Sequence, residues 1–512
     1  MSDSRTRNAV RNIFFGGLNR FVVLVLPFIT RTIILYFLGT SFLGISTLFS
    51  SILSFLSLAE LGLGNAIVYS MYKPIAQNDV TLVSALLNYY RKLYRIIGIT
   101  ILTIGTLLIP VVPLLINGEL PHEINIYVLY YLYLINSVIG YFFAGYKQSL
   151  LVAHQRLDIT NNIATIINIV VQAFQILILC LTRDFYIYAV VPILGTLIIN
   201  FLNSFITRRK YPEIKCAGEI SLELKNDIKK KLGGLFGTKL NSIVVHSSDT
   251  IIISAFLGLT MTAQYGNYYY IMNAISGFIM MLFSSMTAGI GNKLVVDSID
   301  QSYDLFKNLS FINAWIVGWC SICFVCLFEP FMTIWVGEDL RLGLIFVILL
   351  VSYFYIYEIQ RTILMFKDAG GLWNKDKYRP YVSMAINIIS NLILVNFLGI
   401  YGIVVSTILA FLVSMPWANY VLFKYLFRKP AISNILHILK YFFVTVIVCF
   451  ITYALTSLCV EGVLGLISKM VICLILPNLL FFAFFFKTKE FSYVLNKINI
   501  KEKINRIRWI KK

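Results

Sequence analysis

Charge is what this sequence has least of. Only 13% of its 512 residues are charged, where soluble globular domains carry about 25%. That scarcity excludes a large soluble domain. The motifs of common enzyme chemistry are missing too. There is no Walker sequence, no Gly-rich phosphate loop, no metal-spaced His/Cys cluster and no Ser-His-Asp pattern. The chain reads as not an enzyme, and no cofactor is expected.

The eight cysteines lack extracellular disulfide spacing. Cys320, Cys323 and Cys326 form a C-x2-C-x2-C run, but it lies in an apolar stretch from Trp315 to Phe328 without acid or histidine. A thiol packs there as a small apolar group, so no metal is expected. No cleavable signal peptide is expected either. Its apolar core would run about 7–15 residues, whereas the first apolar stretch continues from Ile13 to Leu38.

What is present is hydrophobicity. Apolar residues make up 59% of the chain, and its mean hydropathy is +0.81. A hydrocarbon core takes about 20 apolar residues per helical crossing. About 14 such windows follow one another from residues 12–38 to 462–486. The fold class is therefore an all-α polytopic membrane protein. The net charge of +19 sits in short loops between these windows, as the positive-inside rule describes, and nucleic acid is not an expected partner. Arg91, Lys92, Arg95, Lys147, Arg208 to Lys210, Lys229 to Lys231 and Lys367 all fall on one set of alternating connections. That alternation places both termini in the cytoplasm.

The chain repeats itself. Arg31-Thr32-Ile33-Ile34 and Phe37-Leu38-Gly39 are echoed by Asp249-Thr250-Ile251-Ile252 and Phe256-Leu257-Gly258. Gly62-Leu63-Gly64-Asn65 returns as Gly289-Ile290-Gly291-Asn292, and Tyr146-Lys147 as Phe366-Lys367. The echoes keep their order at an offset of about 220 residues, the pattern of repeat-built transporters. They predict two pseudo-symmetric six-helix lobes around a central cavity, at 1–207 and 232–427. A basic cytoplasmic linker at 208–231 joins them. An extra transmembrane pair at 428–486 and a basic amphipathic tail at 487–512 complete the chain.

With its two lobes, final pair, Gly-x-Gly-Asn ends and Asp-Thr-Ile-Ile-Ile-x-x-Phe-Leu-Gly stretch, nearly the whole chain resembles the polysaccharide transport family. That family belongs to the multidrug/oligosaccharidyl-lipid/polysaccharide flippase superfamily. The resemblance implies a flippase of undecaprenyl-pyrophosphate-linked repeat units in the bacterial cytoplasmic membrane, serving O-antigen, capsule or exopolysaccharide synthesis. It implies a lipid-linked oligosaccharide as substrate, membrane lipids around it and polysaccharide polymerase machinery as a candidate partner. Lipid II flipping and multidrug cation antiport are the alternatives. The antiporter is expected to have about twelve helices and buried acids in its first lobe.

Ionisable groups inside membrane helices are costly and point to function. Arg20 and Arg31 share a face of the first helix, and Lys239 and Asp249 stand at matching depths in the seventh. Arg20, Arg31 and Lys239 are the candidate substrate-binding residues, with Arg20 and Lys239 attracting pyrophosphate. Arg31 and Asp249 are expected to close an outer gate. Snorkelling to the membrane surface is the competing role for the three cations. Glu60 and Glu358 either pair with a nearby arginine, Arg20 or Arg361, or bind a coupling proton or sodium ion. His246 is read as a packing histidine. Tyr268 to Tyr270 either line a sugar path or anchor the membrane interface.

Overall fold

The computed structural model describes residues 22–498, apart from Leu61, Glu119, His122 and Glu123. Arg20 and the tail beyond residue 498 lie outside the described residues. Every regular element among them is helical. Hydrocarbon offers no hydrogen-bond partner, so an apolar chain satisfies its backbone within each helix.

Nine of the described helices are long and apolar enough to cross a membrane, or up to eleven if each of two bent pairs is one span. One pair, α4 (Val80–Leu107) with a 3-10 turn at Ile109–Leu115, bends by 58° where Pro110 and Pro113 withhold backbone donors. The other, α5 (Ile126–Phe142) with the segment Gly145–Ala153, bends by 52° at left-handed Ala144. The sequence windows outnumber this count for identifiable reasons. Two of them fall on shorter apolar helices, α1 (Val22–Phe37) and α2 (Thr40–Leu56). Two more run together in α9 (Leu222–Ser284), which is interrupted by Gly258.

Gly258 shows the internal repeat in backbone form. It has φ 85° and ψ 178°, and Gly39, between α1 and α2, has φ 91° and ψ −178°. Only glycine occupies that region without strain. Both glycines end the Phe-Leu-Gly echo. Just beyond them the hydroxyls of Thr40 and Thr260 meet at 3.3 Å.

The chain divides into two compact units, residues 1–266 with 391–400 and residues 267–390 with 401–512. In the first, α2 to α5 pack with α3 (Leu63–Ala76), α6 (Gln148–Ala153), α7 (Leu157–Thr182) and α8 (Phe185–Lys210). Leu48, Ile67, Met71, Leu86 and Leu129 are fully buried there, and Phe49 sits edge-on to both Tyr130 and Tyr133. Asp79, Asn125 and Asp184 cap α4, α5 and α8, each worth about 1 kcal/mol.

The second unit is organised by α11 (Ile299–Val336), which packs against α12 (Gly343–Ile359), α16 (Ile432–Thr456) and α17 (Val463–Phe485). A capping box of Ser298 and Gln301 starts it. α10 (Thr287–Val296) rests on α13 (Arg361–Ala369). Phe306, Phe366, Phe423 and Phe427 form an aromatic cluster. Helices α14 (Arg379–Leu398) and α15 (Ile400–Leu422) meet at Gly399. The described part of the tail, α18 (Lys489–Ile498), lays Phe491 on Trp315 with ring centres 5.8 Å apart. Its apolar face is therefore spent on protein at that position.

Candidate functional site

Helix α1 is apolar from Val22 to Leu26, so the polar groups that follow need partners inside the protein. Thr30 is buried and donates to the Leu26 carbonyl and to Gln172 on α7. Arg31, one residue on, is half-buried. Its guanidinium lies against α9 at Gly266, where the absent side chain leaves room: a Cβ there would stand 3.0 Å from Arg31 Nη2 and 3.2 Å from Thr47 Cγ2. The buried Tyr188 on α8 is within electrostatic range of Arg31. Arg31 is thus seated among α2, α8 and α9.

Asp249 lies on the limb of α9 that precedes the Gly258 break, and it is 2% exposed. It accepts a 2.6 Å hydrogen bond from Asn391 Nδ2 on α14. Arg31 touches the limb that follows the break, so the two gate candidates engage α9 on opposite sides of Gly258. Lys239 is half-buried on the first limb, and so is His246.

Glu60 ends the 3-10 turn Ser57–Glu60 after α2. Its two oxygens accept from Tyr94 Oη, at 2.6 Å, and from Tyr141 Oη. Tyr90 stacks edge-on to Tyr94 at 4.5 Å. The carboxylate is therefore held by phenol hydroxyls contributed by α4 and α5. Glu358 is held differently. It is completely buried, and Arg361 Nη2 donates to both its oxygens at 2.7 and 2.8 Å while Nε donates at 3.0 Å. Of the two roles open to these acids, Glu358 has the arginine pair.

Tyr268 is fully buried between Phe328 and Phe346, and donates to Glu329 at 3.1 Å. Tyr269 and Tyr270 are half-buried. Cys323 and Trp319 both donate to the Cys473 carbonyl, which fixes that stretch of α11 to α17. Among the described residues no group of three His, Cys, Asp or Glu could hold a metal ion.

Sequence reasoning missed several partners. Tyr94, Tyr141, Gln172 and Asn391 are scattered over separate helical windows, and none forms a motif with the residue it serves. Asn391 did leave a signal: Asn387 and Asn391 stand four apart on α14, where two amides one turn apart in an apolar helix mark a polar face. Also missed was the buried network of Lys367, Asp376, Arg379 and Ser414.

No protein-family model matches the chain, and no curated protein matches it in sequence. Solved structures match its fold. Lipid II flippase MurJ in an inward closed conformation aligns with a TM-score of 0.68 at 15% identity, over 92% of this chain and 99% of the other. An inward-facing multidrug resistance MATE family transporter of the MOP superfamily aligns at 0.56 and 16% identity, over 76% and 92%. A point mutant of the Vibrio cholerae MATE transporter VcmN aligns at 0.55 and 14% identity, over 84% and 99%. The chain has the all-helical fold of these MOP-type transporters.

Proposed function

We propose that this protein is a flippase that carries undecaprenyl-pyrophosphate-linked oligosaccharide repeat units across the bacterial cytoplasmic membrane by alternating access, for O-antigen, capsule or exopolysaccharide synthesis. The observation that carries the reading is Arg31: a guanidinium seated within the helical bundle, with space kept for it by Gly266. Charge in a membrane helix is retained where it works, and a guanidinium suits phosphate oxygens. A fold shared with a lipid II flippase over nine-tenths of the chain supports lipid-linked cargo.

In this proposal Arg20, Arg31 and Lys239 attract the pyrophosphate, and Arg31 with Asp249 forms the outer gate. Glu60 is the better candidate for a coupling proton or sodium ion, because among the described residues phenols hold it, whereas Glu358 is held by Arg361. Two six-helix lobes at 1–207 and 232–427, about 14 crossings and cytoplasmic termini complete the picture. The work is transport, not catalysis. A lipid II flippase is the second reading, favoured by the alignment over 99% of that structure.

Deleting the gene in its own host and analysing lipid-linked sugars tests both. Accumulated repeat units with loss of surface polymer are expected. Accumulated lipid II with lysis would move the assignment to peptidoglycan. Normal polymer with new sensitivity to cationic drugs would overturn the flippase reading in favour of an antiporter.

A further inference from the structure

The segment between α8 and α9 is rich in charge, and a solvated linker would be its simplest state. Instead it is fastened to α4. Ser84 Oγ accepts from the Lys215 backbone N–H at 3.2 Å, and Asn88 Nδ2 donates to the Gly218 carbonyl at 2.8 Å. Lys92 pairs with Glu219 at 3.0 Å, and Ile220 is buried. Held there, residues 211–212 and 214–216 border a cavity of about 440 Å³ against α4, the 3-10 turn Gly145–Lys147 and the end of α8.

The lining is cationic. Arg91, Lys147, Arg208 and Lys215 all border the cavity, together with Tyr146 and Tyr211, and among the described residues no carboxylate does. Lys147 is only 6% exposed. Its ammonium has three donors, and among the described residues one acceptor meets them, Ser204 Oγ at 3.0 Å. Arg91 and Arg208 are close enough to repel it. The acids nearby are occupied or outside: Glu219 with Lys92, Asp158 with Arg156, and exposed Glu213 beyond the lining.

The repeat mate makes the comparison. Lys367 is buried more deeply still, and its ammonium is met by the Asp376 carboxylate, which Arg379 also grips. Buried charge is tolerated when paired. In the first unit no carboxylate among the described residues meets the matching lysine, and three further cations line the same cavity.

We propose that this pocket binds a phosphate-bearing anion, which supplies at Lys147 the negative charge that Asp376 supplies at Lys367. Arg91 and Arg208 offer planar forks to phosphate oxygens, while Lys147 and Lys215 act as point charges. The site shares no residue with the substrate cations Arg20, Arg31 and Lys239. A phospholipid headgroup and a soluble phosphate compound present the same chemistry to it.

The test uses the full-length chain in nanodiscs, read by thermal stability and by native mass spectrometry. One arm compares discs of phosphatidylcholine alone with discs containing phosphatidylglycerol. The other titrates inorganic pyrophosphate into the neutral discs. Wild type is expected to gain stability in at least one arm, and the arm that responds identifies the source. Arg208→Gln and Lys215→Gln, both at exposed positions, are expected to weaken the response about tenfold each. Lys147→Met should abolish it while the protein stays folded in neutral discs. Arg209→Gln removes the adjacent charge outside the lining and should leave the response intact. Equal losses in Arg209→Gln and Arg208→Gln would reduce the effect to general surface charge and overturn the proposal. So would a wild type that responds to neither anion.

Discussion

Arg361 clamps Glu358 with three hydrogen bonds across a single helical turn, at 2.7, 2.8 and 3.0 Å, and the carboxylate it holds has no exposed surface. A buried pair of this kind adds little net stability, because desolvation offsets most of the attraction, but removing one partner strands a charge. Arg361→Ala is therefore expected to destabilise the protein by about 3–5 kcal/mol. Replacing both residues with methionine should recover most of that loss in a thermal melt. Recovered stability with transport still lost would assign Glu358 a part in coupling rather than in structure.

Glu60 invites the opposite experiment. Among the described residues its donors are the phenols of Tyr94 and Tyr141, which leave the carboxylate able to exchange a proton or a cation. Glu60→Gln keeps the shape and an acceptor, and should leave folding nearly unchanged while lowering transport at least tenfold. Tyr141→Phe instead deletes a hydrogen bond to a charged group, worth about 1.5–3 kcal/mol, and should show chiefly as reduced thermal stability. If Glu60→Gln transports normally, the coupling role of Glu60 is lost.

These contrasts show what was legible beforehand. Apolar runs of membrane length are visible one residue at a time, so the helical class follows from composition and spacing alone. The Phe-Leu-Gly echo was legible as well, and Gly39 and Gly258 turned out to share one backbone conformation. The partners were not. Tyr94 and Tyr141 lie 34 and 81 residues from Glu60, and only the packing of α4 and α5 decides that their hydroxyls meet it. The fastening of the basic linker was hidden for the same reason: the groups that pin it, Ser84 and Asn88, belong to α4.

That pinned segment also carries a pH response. His154 lies after α6, outside the spans, with Nδ1 2.8 Å from the Leu150 carbonyl and its ring stacked on Tyr211 at 4.0 Å. Burial holds its pKa below the ordinary value of 6.5, against weaker opposing effects of the Leu150 carbonyl and Glu213. The unfolded chain therefore takes up the proton first. Stability from the neutral ring is complete above about pH 6.5 and falls as the pH drops toward the lower folded-state pKa. Melting temperatures between pH 7.5 and pH 5 should decline more for wild type than for His154→Phe, which keeps the stacking without the titration. Parallel curves would remove His154 from the account.

Arg31 and Gly266 provide the sharpest test of the site. A methyl group at Gly266 would stand 3.0 Å from Nη2 and 3.2 Å from Thr47 Cγ2, both closer than ordinary contact. Gly266→Ala should therefore displace the guanidinium and press on Thr47, at a modest cost in thermal stability of about 1–3 kcal/mol. The displaced fork should cost transport about tenfold if Arg31 receives phosphate oxygens, since a charge-assisted pair of bonds depends on its geometry. Arg31→Lys keeps the charge without the fork and should fall short of wild type as well. Exchanging the charges, Arg31→Asp with Asp249→Arg, asks the separate question of the gate. Recovery of surface polymer in the double variant, against loss in Arg31→Ala, would support a pair that closes. If Gly266→Ala and Arg31→Gln both restore full polymer synthesis to the deletion host, Arg31 only reaches for the membrane surface, and the observation that carries the flippase proposal is gone.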